Sequence, residues 1–135
     1  MNAHKSDVIH IGMVGLGPRG VQSWLPLLET FPECRVVAIC DRRAPLLEAA
    51  LAANPNRDIK GYLDYEAMLN HPGLEAVIIN TDATTQADLV VQAMEAGKHV
   101  TTEVPACGTL EDCWKLVLAA ERTGRIYQLA EQARY

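Results

Sequence analysis

Two short stretches of this sequence have the residue types and spacing to do chemistry. Residues 15–20 read GLGPRG and residues 103–105 read EVP. The first has the G-x-G-x-x-G spacing of a loop that cradles a pyrophosphate, and each glycine has its own physical reason. Gly15 permits a tight turn. Gly17 lets the backbone approach phosphate oxygens with no Cβ in the way. Gly20 lets a helix pack closely on a strand. Pro18 suits the first turn of that helix. The free N–H groups and partial positive charge of the helix N-terminus would then face the phosphates. Asp41 stands 21 residues after Gly20, at the end of the apolar run RVVAIC. A carboxylate there can accept hydrogen bonds from both hydroxyls of an adenosine ribose, and it repels a 2′-phosphate, which favours NAD over NADP. Arg42 and Arg43 work the other way, since an arginine beside that ribose could hold the phosphate. They could equally form a solvated pair, or one could stack on the adenine.

The second stretch closes the run HVTTEVPACG. An alternating apolar segment stops at Glu103, Val104 and Pro105, and Glu103 is the only ionisable member of the corner.

These residues need elements to hold them, and the hydrophobic period supplies candidates. Val8–Val14 reads as a strand. Val21, Trp24, Leu25 and Leu28 then fall on one helix face, with Pro26 expected to kink or shorten it. Arg35–Cys40 is a second strand, followed by a helix from about Pro45 to Asn54 and Pro55. Ile59–Tyr62 is a short strand, and Asp64 caps a brief helix over 65–70. Ala76–Asn80 is solidly apolar, as expected of a parallel strand covered on both faces. Ala87, Val90, Val91 and Met94 mark the next helix, ended by Gly97. After the strand His99–Thr102, Thr109 and Asp112 resemble a capping box. The helix that follows puts Leu110, Cys113, Trp114 and Val117 on one face and stops at Gly124. Arg125–Leu129 is the last strand. The alternation predicts an α/β fold: a Rossmann-type doubly wound parallel sheet with helices on both faces.

The chain has 135 residues, 49% hydrophobic and 21% charged, which suits one globular domain with a real core. A net charge of −5, with no basic cluster larger than Arg42-Arg43, argues against nucleic acid. No apolar run approaches the ~18 residues of a membrane span, and the N-terminal stretch reads as a buried strand rather than a signal peptide, so a cytoplasmic protein is expected. Cys34, Cys40, Cys107 and Cys113 form no C-x-x-C pair and have no histidine at metal-ligand spacing. They are expected to be reduced core thiols, with no metal site and no catalytic thiol at Cys107. The chain stops at Tyr135, just past the last expected strand. From this we expect residues 1–135 to be one dinucleotide-binding domain, the N-terminal part of a longer two-domain protein.

The stretches YLDYEAML, EAVIINT, AMEAGKHV and E-x-P, following GLGPRG, resemble the N-terminal domain of the glucose–fructose oxidoreductase/inositol dehydrogenase/MocA family. The resemblance covers nearly the whole chain, and EAGKHV ending in E-x-P is its most specific part. It implies a second, C-terminal α/β domain, absent from this chain, that supplies much of a sugar or polyol site and the contacts of a homo-oligomer. It also implies that Glu103 reaches the nicotinamide ribose and that Pro105 shapes the wall beside the ring. Three departures stand near the corner. Where the family has a lysine that moves the substrate proton, this chain has Val104, which cannot carry one; Val104 can simply pack at the start of a loop. Thr81 is kept, but Asp82 replaces the proline after it. Thr84 and Gln86 occupy the positions of histidines. Arg134 and Tyr135 resemble an Arg-aromatic pair found after the last strand. The candidate cofactor contacts are therefore Gly15, Gly17, Pro18, Arg19, Gly20, Asp41, Arg42, Thr81, Glu103 and Pro105, and no catalytic residue is assigned.

The Glu-Val-Pro variant is similar to a branch that includes NAD-dependent α-N-acetylgalactosaminidases, which oxidise the sugar ring, eliminate the glycosidic bond, add water and return the hydride. They lie outside the paired-carboxylate mechanism. Three functions follow as expectations. The first is an NAD-dependent oxidoreductase acting on a sugar, polyol or related hydroxylated substrate. The second is a glycoside hydrolase of the transient-oxidation type. The third is a non-catalytic NAD-binding regulator. The 135-residue piece alone is expected to bind cofactor weakly and catalyse nothing.

Overall fold

A computed structural model describes residues 8–55 and 57–131. Six strands form one sheet: β1 (Ile9–Val14), β2 (Cys34–Cys40), β3 (Lys60–Tyr62), β4 (Ala76–Ile79), β5 (His99–Thr102) and β6 (Tyr127–Leu129). Every pairing is parallel, and the spatial order is β3-β2-β1-β4-β5-β6. The order reverses between β1 and β4, which opens a crevice beyond the C-terminal ends of those strands. The crossovers run through α1 (Leu25–Leu28), α2 (Ala44–Ala52), α3 (Tyr65–Leu69), α4 (Ala83–Glu95) and α5 (Leu110–Thr123). The expected Rossmann-type sheet with helices on both faces is the fold.

Strand periodicity divides the core between the two faces. Met13, Ile39 and Ile78 join Leu25, Leu28, Leu47 and Ala50 on one side. Their chain neighbours Val14, Cys40, Val77 and Ile79 join Met68, Val90, Met94, Val100 and Leu116 on the other. Because β4 is apolar at consecutive positions, it feeds both layers: Val77, Ile78 and Ile79 are all buried.

The caps largely follow the sequence. Asp64 accepts the Glu66 N–H at the start of α3, and Thr109 accepts the Asp112 N–H at the start of α5. Gly97 and Gly124 end α4 and α5 with positive φ. Arg134 and Tyr135 lie outside the described residues.

Two expectations change. The first helix opens as a π-helical segment, Arg19–Trp24, and only Leu25–Leu28 is α-helical. Pro26 lacks the N–H that an α turn would send to the Gln22 carbonyl, and the wider turn accommodates that. The second change is the orientation of α5. It buries Leu116 and Ala119 against the α4 layer, while Leu110, Trp114 and Val117 stay exposed. Cys113 is exposed with them. The periodicity found a genuine apolar face but assigned it inward. The inward contact is made instead through Leu116 and the small Ala119, flanked by the Lys115–Asp88 and Arg122–Glu95 ion pairs between α5 and α4.

Candidate cofactor site

A cavity of about 530 Å³ opens at the C-terminal ends of β1, β2 and β4, with Gly15, Gly17, Asp41, Arg42, Asn80 and Thr81 in its wall. The three loop glycines meet three different constraints. Gly15 has φ +88°, and a Cβ there would lie 2.6 Å from the Asn80 carbonyl oxygen. A Cβ on Gly20 would collide with the Gly15 carbonyl oxygen. A Cβ on Gly17 would meet nothing within 4 Å. Gly17 therefore answers no packing demand of the protein itself. It leaves open the space that a phosphate group needs to reach the loop backbone. That is the fit expected for a dinucleotide.

Asp41 follows the last residue of β2, is 5% exposed and is already engaged. Its Oδ2 accepts the Leu16 N–H at 2.9 Å, so the carboxylate helps to shape the glycine loop. Its Oδ1 accepts the Arg43 backbone N–H at 2.9 Å and the Arg43 Nε–H at 3.2 Å. Burial pushes this carboxyl up, but the Arg43 side chain, the two backbone N–H groups and the Arg43 charge outweigh it. The net effect holds the group below the ordinary aspartate range. Asp41 thus stays ionised and aligned at neutral pH. Arg42 and Arg43 both border the cavity, and Arg43 is the one paired with Asp41. Next to it, burial and the charges of Asp41 and Asp64 push the Cys40 thiol up to about 11, so it stays protonated.

The corner after β5 is locked from several sides. The Glu103 N–H donates to the Ile79 carbonyl at 3.1 Å. The Gln86 Nε2 donates to the Glu103 carbonyl at 3.2 Å and to the Pro105 carbonyl at 2.5 Å, spanning the cis Val104–Pro105 peptide. Glu103 is 7% exposed, and its Oε1 accepts from both Arg19 Nε at 2.8 Å and Trp24 Nε1 at 2.9 Å. Val104 is 44% exposed and so packs little. Pro18 and Pro105 are also exposed.

Thr84 and Gln86 are both occupied with structural work. Asp82 is the N-cap of α4 and accepts the Thr84 N–H at 3.1 Å as well as the Thr84 hydroxyl. The hydroxyl bond above all holds this carboxyl below the ordinary range. Gln86 is fully buried in its bonds to the corner. Thr81 lies in the cavity wall and accepts a hydrogen bond from the Thr85 hydroxyl at 3.1 Å.

Sequence reasoning missed three residues. Trp24 looked like core, and it does pack there, but its indole N–H also reaches Glu103. Gln86 looked like a lost histidine. Asn80 looked like the end of an apolar strand, yet the residue borders the cavity, and both its side-chain polar atoms are buried without a hydrogen-bond partner among the described residues. A polar residue closing the run AVII was the one available signal. The cysteine expectation is corrected in part. Cys34 and Cys40 are free, but Cys107 and Cys113 are joined in a disulfide with Cα atoms 6.0 Å apart. The loop after the corner brings Cys107 to the first turn of α5, within bridging range of a residue six positions later. No local motif announces that approach.

A parallel sheet in this order, a glycine loop at its switch point and a buried acidic residue just after β2 define a dinucleotide-binding Rossmann domain. The chain belongs to the Gfo/Idh/MocA oxidoreductase family, whose profile, described as an oxidoreductase family with an NAD-binding Rossmann fold, matches residues 9–131. A glycosyl hydrolase family 109 protein of Shewanella sp. (strain W3-18-1) is 34% identical over 143 aligned residues, covering 98% of this chain and 30% of that protein. The chain thus spans about 30% of the length of the curated relatives it matches. Among solved structures, an NAD-binding protein from Listeria innocua superposes with a TM-score of 0.82 at 30% identity, over 90% of this chain and 35% of the other. KijD10, a 3-ketoreductase from Actinomadura kijaniata solved with NADP and TDP-benzene, gives 0.83 at 25% identity, over 92% and 37%. The neighbours therefore include an NADP complex, and the cofactor class common to them is NAD(P).

Proposed function

We propose that this chain is the cofactor-binding domain, residues 1–135, of a longer two-domain NAD-dependent oxidoreductase that acts on a hydroxyl of a sugar, polyol or related compound. The observation that carries the reading is the buried, ionised Asp41 at the end of β2, braced against the glycine loop through Leu16. A carboxylate so placed suits two ribose hydroxyls and opposes a 2′-phosphate, so NAD is the preferred cofactor and NADP the lesser one. When bound, the nicotinamide supplies hydride transfer. The residues of this chain bind and orient: Gly15, Gly17, Pro18 and Gly20 receive the pyrophosphate, Arg42 flanks the adenosine, Thr81 borders the crevice, and Glu103 and Pro105 form the nicotinamide side. Val104 leaves the substrate proton to a group outside this corner. The substrate wall and the contacts of a homo-oligomer belong to the second domain, and the isolated chain is expected to be inactive. Its place is the cytoplasm. No helix among the described residues is long and apolar enough to cross a membrane. The test is NADH formation by the full-length protein across a panel of sugars and polyols. No turnover with any of them, despite NAD binding, would count against this reading.

A second reading, the transient-oxidation glycoside hydrolase, is favoured by Val104 and by the 34% identity to a glycosyl hydrolase family 109 protein. It predicts release of an aglycone from an α-N-acetylgalactosaminide without accumulation of NADH. Solvent deuterium should appear in the sugar beside the oxidised carbon.

A further inference from the structure

Arg19 and Trp24 lie five residues apart, yet both donate to one oxygen of Glu103. In an α-helix, successive residues turn by about 100°, so side chains five apart point roughly 140° away from each other and cannot converge. The π-helical segment changes this. Its i→i+5 bonding, seen in the Leu25 N–H to Gly20 carbonyl bond, stacks residues five apart on one face. Both donors then reach across 84 and 79 residues of sequence to the corner after β5. Both bonds end on Oε1. Oε2 accepts no hydrogen bond among the described residues, and it is not one of their buried unpartnered atoms. Among the described residues Arg19 is bound through Nε alone, and its side chain is half-exposed.

We infer that the π turn is a positioning device: Arg19 and Trp24 clamp Glu103 through Oε1 and so present Oε2 to the nicotinamide-side ribose of the dinucleotide. The inference rests on the cofactor reading above. Two donors on one oxygen fix the torsion of the carboxylate before the ligand arrives, which lowers the ordering cost of binding. Arg19 also joins the loop that receives the pyrophosphate to the corner that receives the distal ribose. Trp24, by contrast, is not in the wall of the cavity; it packs against the core beneath β1 and reaches the corner through its bond to Glu103.

The experiment pairs a geometric readout with a binding readout in the full-length protein. The indole N–H resonance of Trp24 is recorded by 15N NMR in the wild type and in Glu103→Gln. NAD and ADP are titrated calorimetrically against the wild type, Trp24→Phe, Arg19→Met and Glu103→Gln. ADP lacks the nicotinamide and its ribose, so it reports the adenosine half alone. The expected result is a displaced indole resonance in Glu103→Gln and NAD affinity lowered about fivefold in Trp24→Phe with ADP affinity within about twofold. Trp24→Phe should add little to the loss already caused by Glu103→Gln, since the two residues act as one unit. Equal losses for NAD and ADP in Trp24→Phe would mean that the residue merely supports the loop, and would overturn the inference. So would an indole resonance that ignores Glu103→Gln. If Glu103→Gln shifts the indole but leaves NAD affinity unchanged, the clamp exists and the ribose role is wrong. If the wild type binds neither ligand, the cofactor reading itself fails and takes the inference with it.

Discussion

Single residues in this site divide by whether they serve the protein or the ligand. Gly15 and Gly17 make the clearest contrast. Gly15→Ala forces a side chain onto φ +88° and a Cβ toward the Asn80 carbonyl, so it should destabilise the fold by about 1–3 kcal/mol in chemical denaturation. Gly17→Ala meets open space, so stability should hold while NAD affinity falls, by about tenfold or more in calorimetry. Equal loss of stability in both variants would contradict this division. Asp41 serves both purposes. Its folded-state carboxyl sits below the ordinary aspartate value, so its stabilising contribution is fully present above that value and is lost as pH falls through the folded value. Melting temperature should therefore drop as pH falls below about 4, and the drop should be shallower in Asp41→Asn. Asp41→Ala should also weaken NAD more than NADP. The raised Cys40 thiol predicts that iodoacetamide at neutral pH leaves Cys40 unmodified in the folded protein, and labelling of Cys40 ahead of Cys34 would count against it.

At the scale of elements, legibility depended on how local the cause was. Strand and helix positions followed from period and caps, because those signals lie within a few residues. His99–Thr102 was legible to the residue, and so was the Asp64 cap. The π turn was not, since Val21, Trp24, Leu25 and Leu28 also satisfy an α period. The partners of Glu103 and of Gln86 were hidden for a different reason. They are set by where β1, β4 and β5 bring distant segments together, which no spacing in the chain encodes. Gln86 illustrates the cost of reading only the missing histidine: its amide holds the two carbonyls on either side of the Val104–Pro105 peptide. Gln86→Leu should leave both carbonyls without that donor and destabilise the domain by about 1–3 kcal/mol. A Gln86→Leu variant as stable as the wild type in urea would show that the corner holds itself.

Across the whole molecule, the glycine loop and Asp41 stand at the switch point of the sheet, while the positions where the resemblance implies a lysine and histidines carry Val104, Thr84 and Gln86. Gly15, Gly17, Asp41, Arg42 and Thr81 line one crevice, Glu103 stands outside its wall in the grip of Arg19 and Trp24, and Thr84 and Gln86 serve as a helix-capping partner and a corner brace. The apolar side of α5, with Leu110 75% and Trp114 58% exposed, contributes little to the core of this domain. Trp114→Ser should change the unfolding free energy by less than about 0.5 kcal/mol.

The positive-φ glycines add a practical consequence. Gly97 and Gly124 precede β5 and β6 at the edge of the sheet opposite the crevice, and a Cβ on either would touch nothing within 4 Å. Chain grafted beside those two turns would emerge at the opposite end of the strands from Glu103, which directly follows β5. The domain thus has a working front and a tolerant back, and a fluorophore, an affinity handle or a tether to a surface belongs on the back.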